Sequence, residues 1–133
     1  MYVQVGRVSL ATVLTGVGIG ALTCAILVAN NLRDIVGDAA VGKRTLATRL
    51  GDPRTRAFYL ILVVVAASMI IVVAAITSVW ALLGLVGLML IIPAVRTVLT
   101  GGRGPDLIAV LKSTGLAELV SAVGFAVGLI LAR

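Results

Sequence analysis

Histidine is absent from this chain of 133 residues, and cysteine occurs once, at Cys24. The first absence removes the usual general base and the commonest metal ligand. The second excludes an intrachain disulfide, and Cys24 falls in the middle of an apolar run. Charge is scarce too: 12% of residues are charged, with 5 acids against 11 bases, and the charges are clustered. An acid beside an apolar run is costly to place and so needs a reason.

What the chain has in excess is hydrophobic surface, 61% of its residues. A soluble domain is nearer half apolar. Four apolar runs, 8–29, 57–77, 80–99 and 115–132, are each long enough to cross a bilayer, which takes about 20 residues. In lipid the backbone must satisfy its own hydrogen bonds, so these runs are predicted to be helices. The expected fold class is an all-α membrane protein with four transmembrane helices. The first run is too long for the apolar core of a signal peptide and is expected to be retained.

A net charge of +6 could indicate nucleic acid. The basic residues lie between the apolar runs instead, so nucleic acid is set aside as a partner and the bilayer takes its place. Arg33, Lys43, Arg44, Arg49, Arg54, Arg56, Arg96, Arg103 and Lys112 fall on one side of the spans; Arg7 and Arg133 fall on the other. The long connection 30–56 is therefore predicted to be cytoplasmic, with both termini on the opposite face.

Within that connection, Asn30–Asp38 can prolong the first helix out of the membrane, and Thr45–Leu50 reads as a short helix. Gly51 suits a helix C-terminus, and Asp52-Pro53 an N-cap with proline at the next position. Gly101-Gly102-Arg103-Gly104-Pro105 breaks the chain again, and Asp106–Lys112 reads as a short surface helix before the fourth span. Pro93 is expected to kink the third span. Gly16 with Gly20, and Gly124 with Gly128, have the spacing of close helix packing. Trp80 and Tyr59 suit interfacial or packing roles, and Arg96 is expected to reach toward the membrane surface. Glu118, the one acid of the fourth run, is expected to reach the interface or to pair with a base such as Lys112, the alternative being that it faces an internal cavity and touches substrate.

Residues four apart on a helix share a face. Asn30, Asp34 and Asp38 therefore form one stripe of oxygens, with Asn31 close by and Gly37 leaving the backbone bare. Carboxylates at that spacing repel by a few tenths of a kcal/mol, about 0.2–0.5. A cation between them reverses the sign. Mg²⁺ suits two carboxylates plus substrate phosphates, with Lys43 and Arg44 near enough to join them if the loop folds back. The same acids could equally be solvated residues at a span's end. Gly37–Lys43 has P-loop spacing, but Arg44 stands where Ser or Thr is required and a membrane helix, not a strand, precedes it.

The run NNLRDIVGDAAVGKRTLATRLGDPRTR, from Asn30, resembles the second aspartate-rich motif of the UbiA superfamily of membrane prenyltransferases, in its menaquinone-pathway branch. The likeness rests on Asp34 and Asp38, on Gly42, and on Lys43-Arg44-Thr45-Leu46. It implies the C-terminal part of a nine-helix bundle. It also implies transfer of a polyprenyl group from a polyprenyl diphosphate to an aromatic acceptor, 1,4-dihydroxy-2-naphthoate, giving demethylmenaquinone. On that pattern Asp34 and Asp38 would be the catalytic, metal-holding residues, with Mg²⁺ as cofactor, and Asn30, Asn31, Lys43 and Arg44 would meet substrate. The family's first motif and about five preceding helices of about 20 residues have no counterpart here. The expectation is an incomplete copy, inactive alone, that needs the N-terminal half of the fold. The alternative is a small non-catalytic multi-pass membrane protein or subunit.

Overall fold

The computed structural model describes Gly6 and residues 8–132. Among the described residues every regular element is helical: α1 (Leu10–Arg33), α2 (Ile35–Ala40), α3 (Leu46–Leu50), α4 (Asp52–Ile76), a 3-10 turn (Val79–Leu83), α5 (Gly84–Met89), α6 (Ile92–Leu99) and α7 (Pro105–Leu131). Three of these, α1, α4 and α7, are long and apolar enough to cross a membrane. The pair Val79–Met89 and Ile92–Leu99, bent by 49°, makes a fourth if it is one span. The chain is an all-α, multi-pass membrane protein.

The bend has a local cause. Pro93 lies in the first turn of α6 and has no N–H for the carbonyl one turn earlier. Just before it, Leu90 and Ile91 donate to Gly87 and Leu88, the tighter three-residue pattern, at 3.1 and 3.2 Å. The kink expected at Pro93 is present. The surface helix expected over Asp106–Lys112 is not separate: it forms the first two turns of α7, which starts at Pro105 rather than Gly115. The break is at Gly101 and Gly104, both with positive φ. Nothing between Lys112 and Gly115 can stop a helix once it has begun there.

α1 buries Leu22, Ala25, Ala29 and Leu32 against α4 and α7. α7 in turn packs on the 3-10 turn, α5 and α6. Buried Tyr59 donates to Thr114 Oγ1 at 2.7 Å, while Thr114 donates to the Val110 carbonyl. The phenol thus finds the partner that a buried hydroxyl requires.

Glycines set the closest approach. A methyl at Gly124 would lie 2.5 Å from the Leu83 carbonyl oxygen, and one at Gly128 would collide with the Trp80 carbonyl. The pair does the packing expected of it. Gly16 and Gly20 do not: a Cβ there meets nothing within 4 Å, whereas one at Gly18 between them would lie 3.1 Å from Met69 Cβ. Gly87, whose added Cβ would overlap the Ser121 backbone, is a tight crossing that the spacing pattern did not mark.

Gly128→Ala is therefore expected to destabilise the fold by about 1–3 kcal/mol through overpacking. Gly20→Ala is expected to be neutral or to stabilise by up to about 1 kcal/mol through helix propensity. Unfolding in detergent, followed by circular dichroism, measures both; equal losses would contradict the packing.

Candidate functional site

α1 ends where Asp34 leaves helical geometry, at φ −94° and ψ 4°. The course of the helix is still carried across. Asp34 N–H donates to the Asn30 carbonyl at 3.2 Å, and Asp38 N–H to the Asp34 carbonyl at 2.8 Å. The helix expected over Asn30–Asp38 is thus two helices joined at one residue.

The two aspartates are held differently. The Arg33 guanidinium grips Asp34 with two bonds, Nε to Oδ1 at 2.9 Å and Nη2 to Oδ2 at 3.1 Å. This hydrogen bonding, opposed by partial desolvation and aided by the charges of Arg33 and Lys43, holds the Asp34 carboxyl below its ordinary range. Asp34 is therefore an anion at neutral pH. Asp38 is buried. Its Oδ1 lies 3.6 Å from Lys43 Nζ, and its Oδ2 is buried with no hydrogen-bond partner. An orphaned carboxylate oxygen inside a protein calls for a donor or a cation.

The turn that brings Lys43 back is built by Gly42, at φ 73°. Lys43 N–H donates to the Asp38 carbonyl at 2.8 Å and Gly42 N–H to Ala39 at 3.2 Å. That pair of bonds is the Schellman helix ending, which favours glycine at this position. It also explains the near-miss P-loop: Gly42 closes a helix here instead of opening one. Thr45 then caps α3 by a reciprocal exchange with Thr48. The result is a groove of about 320 Å³ lined by Ala39, Gly42, Lys43, Arg44, Thr48 and Arg49. Arg49 joins Lys43 and Arg44 there, a cation that the motif spacing did not select.

Asn30 opens onto a second, mostly apolar groove of about 430 Å³ with Thr23, Cys24, Ile26, Leu27 and Leu111. Asn31 is half-buried in the last turn of α1. A third cavity, about 560 Å³, lies between the end of α1, α2, Asp52 of α4 and the loop at Arg103 and Gly104, and neither Asp34 nor Asp38 lines it. Among the described residues no three Asp, Glu, His or Cys side chains converge on one point. Asp34 and Asp38 offer two carboxylates, and the open oxygen of Asp38 fits a hard cation such as Mg²⁺.

Two other charged residues stand elsewhere than expected. Arg56 is no loop cation: it is buried in α4 and bonds Asp52 through Nε and Nη2 at 2.7 and 3.0 Å. It also donates to the carbonyls of Val98 and Gly102 at 2.7 and 2.9 Å, satisfying the C-terminal end of α6. The four-residue spacing from Asp52 was the available signal. Glu118 is not paired with Lys112. It accepts a 2.5 Å hydrogen bond from Thr23 on α1, near the centre of the 27-residue α7.

Acids and cations thus gather where a membrane helix ends, beside a mostly apolar groove. The model of the UbiA prenyltransferase family matches residues 1–110, and the chain belongs to that family. It is 46% identical over 94% of its length to a protein of Mycobacterium tuberculosis named 1,4-dihydroxy-2-naphthoate octaprenyltransferase. It is 45% identical over 98% of its length to the protein of that name in Mycobacterium leprae. A third of that name, from Haemophilus influenzae, is 41% identical over 59% of this chain. The chain spans 42% and 44% of the length of the two mycobacterial relatives. No solved structure matches.

Arg56→Ala is expected to cost about 2 kcal/mol or more. That is less than the 3–5 kcal/mol of a wholly buried pair, because the Asp52 side chain keeps 34% of its exposure. Arg56→Lys, which cannot reproduce the fork, is expected to recover only part of the loss. Unfolding in detergent measures both; a wild-type midpoint in Arg56→Ala would remove the clamp from the account.

Proposed function

We propose that this chain forms the part of a polyprenyl transferase that grips the diphosphate of its lipid donor. It sits in a bacterial plasma membrane with the 34–51 segment on the cytoplasmic side. The donor is a polyprenyl diphosphate and the acceptor an aromatic ring, 1,4-dihydroxy-2-naphthoate. Prenylation with loss of the ring carboxylate gives demethylmenaquinone. The observation that carries this reading is the buried, half-partnered carboxylate of Asp38 beside the groove of Lys43, Arg44 and Arg49.

Each residue then has a physical task. Asp34 and Asp38 would hold Mg²⁺. Such an ion would supply charge neutralisation of the diphosphate leaving group. Lys43 and Arg44 meet the phosphate oxygens directly, Arg44 with a fork that fits them in pairs. Lys43 can turn from Asp38 to the substrate at little cost, since its side chain is 64% exposed and its ion pair is a loose 3.6 Å. Arg33 keeps Asp34 ionised and fixes its rotamer. Asn30, one turn inward of Asp34, and neighbouring Asn31 orient the headgroup where it meets the tail. The first isoprene units suit the apolar groove of Ile26, Leu27 and Leu111.

A second reading, a non-catalytic membrane subunit, is favoured by one observation: among the described residues no three Asp, Glu, His or Cys side chains are grouped to hold a metal. Catalysis under the first reading needs the rest of the family's fold.

The test uses a full-length chimera that joins this chain to the preceding region of the M. tuberculosis relative. Asp34→Asn and Asp38→Asn are each expected to lower prenyl transfer by about 10²-fold or more, the scale set by losing a metal-oriented charge. Lys43→Ala is expected to raise KM for the diphosphate more than it lowers kcat. Wild-type rates in both asparagine variants would end the proposal.

A further inference from the structure

Asp34 stands at the N-terminus of α2, where an aspartate ordinarily caps its own helix. Its side chain makes no such bond. Both carboxylate oxygens are taken instead by the preceding residue: Arg33 Nε donates to Oδ1 at 2.9 Å and Nη2 to Oδ2 at 3.1 Å. Among the described residues these are the only bonds that the carboxylate makes. Asp38, one turn further on, is held more loosely. Lys43 Nζ lies 3.6 Å from its Oδ1, and its Oδ2 has no partner. Two cations of the same segment thus already balance the two acids, one in a tight fork and one in a loose contact.

That balance bears on any metal ion. An oxygen bonded to a guanidinium keeps a lone pair to offer, but a divalent ion placed on it would stand beside the full positive charge of Arg33. Arg44 and Arg49, in the groove with Lys43, add to the repulsion. A bare metal ion therefore meets acids whose charge is already matched. A diphosphate changes the sum. It carries more negative charge than one divalent ion neutralises, and its phosphate oxygens can be taken in pairs by a guanidinium. Arg33 has room to turn: its side chain is 32% exposed, and it lines the cavity of about 560 Å³ that it shares with Asp52 and Arg103.

We propose that Arg33 is an exchangeable counterion: it holds Asp34 against a bare metal ion and trades it for phosphate oxygens when metal and diphosphate arrive together. The consequence is a site that disfavours free Mg²⁺ and accepts it as a metal–diphosphate pair. Arg33 is suited to this by its fork, which fits a carboxylate and a phosphate equally well. Arg56, in the same kind of fork, is not: it is buried and also bonded to the carbonyls of Val98 and Gly102. The inference rests on the reading of Asp34 and Asp38 as metal-holding residues, and adds to it the condition under which Asp34 is released.

The experiment measures Mn²⁺, which takes the same oxygen ligands as Mg²⁺, by equilibrium dialysis against the full-length chimera in detergent. Each titration is run with and without a non-hydrolysable farnesyl diphosphate, and micelles carrying that probe without protein set the baseline. In Arg33→Gln, Mn²⁺ alone is expected to bind about tenfold more tightly than in the wild type. The factor by which the probe strengthens Mn²⁺ binding is expected to fall by about tenfold, since the two ligands no longer share a displaced counterion. Adding Asp34→Asn to Arg33→Gln is expected to abolish the gain, while Asp34→Asn alone leaves the binding of bare Mn²⁺ unchanged. Arg103→Gln, which removes a cation from the same cavity but none from Asp34, is expected to leave both values as they are. Circular dichroism checks that each variant retains its helices. Equal affinity of wild type and Arg33→Gln for bare Mn²⁺ would overturn the proposal. So would an equal gain in Arg103→Gln, which would make Arg33 one part of a general positive field. Probe-dependent Mn²⁺ binding that survives undiminished in the Asp34→Asn, Asp38→Asn double variant would overturn the proposed function as well; the other two results would leave that function standing.

Discussion

A carboxylate in or beside a bilayer is tolerable only with a partner, and how this chain partners its five acids accounts for much of its architecture. Asp52 takes Arg56, and the same guanidinium ties α4 to the end of α6 and the following loop. Asp106 stands in the first turn of α7, where the helix dipole favours an anion, and accepts from the Arg103 N–H. Asp34 takes Arg33. Asp38 takes Lys43 loosely and keeps one oxygen open. Glu118, like Asp106, has only a neutral partner among the described residues, the Thr23 hydroxyl. Of the acids, Asp38 is the one with a buried oxygen left without a hydrogen-bond partner among the described residues.

That division separates scaffold from site. The scaffold is fixed by contacts that leave no slack: backbone against backbone at Gly124 and Gly128, Tyr59 on Thr114, and Arg56 on two orphan carbonyls. The site is built from a short Schellman-ended helix and a capped turn, with its cations largely exposed. Lys43 holds only a loose 3.6 Å ion pair with Asp38, unlike the buried clamp of Arg56.

Much of this was legible in the residues themselves. The apolar runs marked the membrane helices, and Pro93 the bend. What was not legible depended on partners distant in sequence. Arg56 read as one more cytoplasmic cation because its carbonyl acceptors at Val98 and Gly102 belong to another element. Glu118 read as interfacial because the apolar run begins at Gly115, while the helix itself begins at Pro105. Gly16 and Gly20 carried the packing pattern, yet a Cβ at either meets nothing within 4 Å, while Gly18 and Gly87, outside the pattern, sit at close crossings.

The central claim is that Asp34 and Asp38 are kept at the membrane surface to hold a divalent cation on a lipid diphosphate. Titration calorimetry on the chimeric full-length protein tests it without turnover, using Mg²⁺ and a non-hydrolysable prenyl diphosphate. Diphosphate binding is expected to require Mg²⁺ in the wild type and to be lost when both aspartates are changed to asparagine. Tight, magnesium-dependent binding that persists in the double variant would contradict the account.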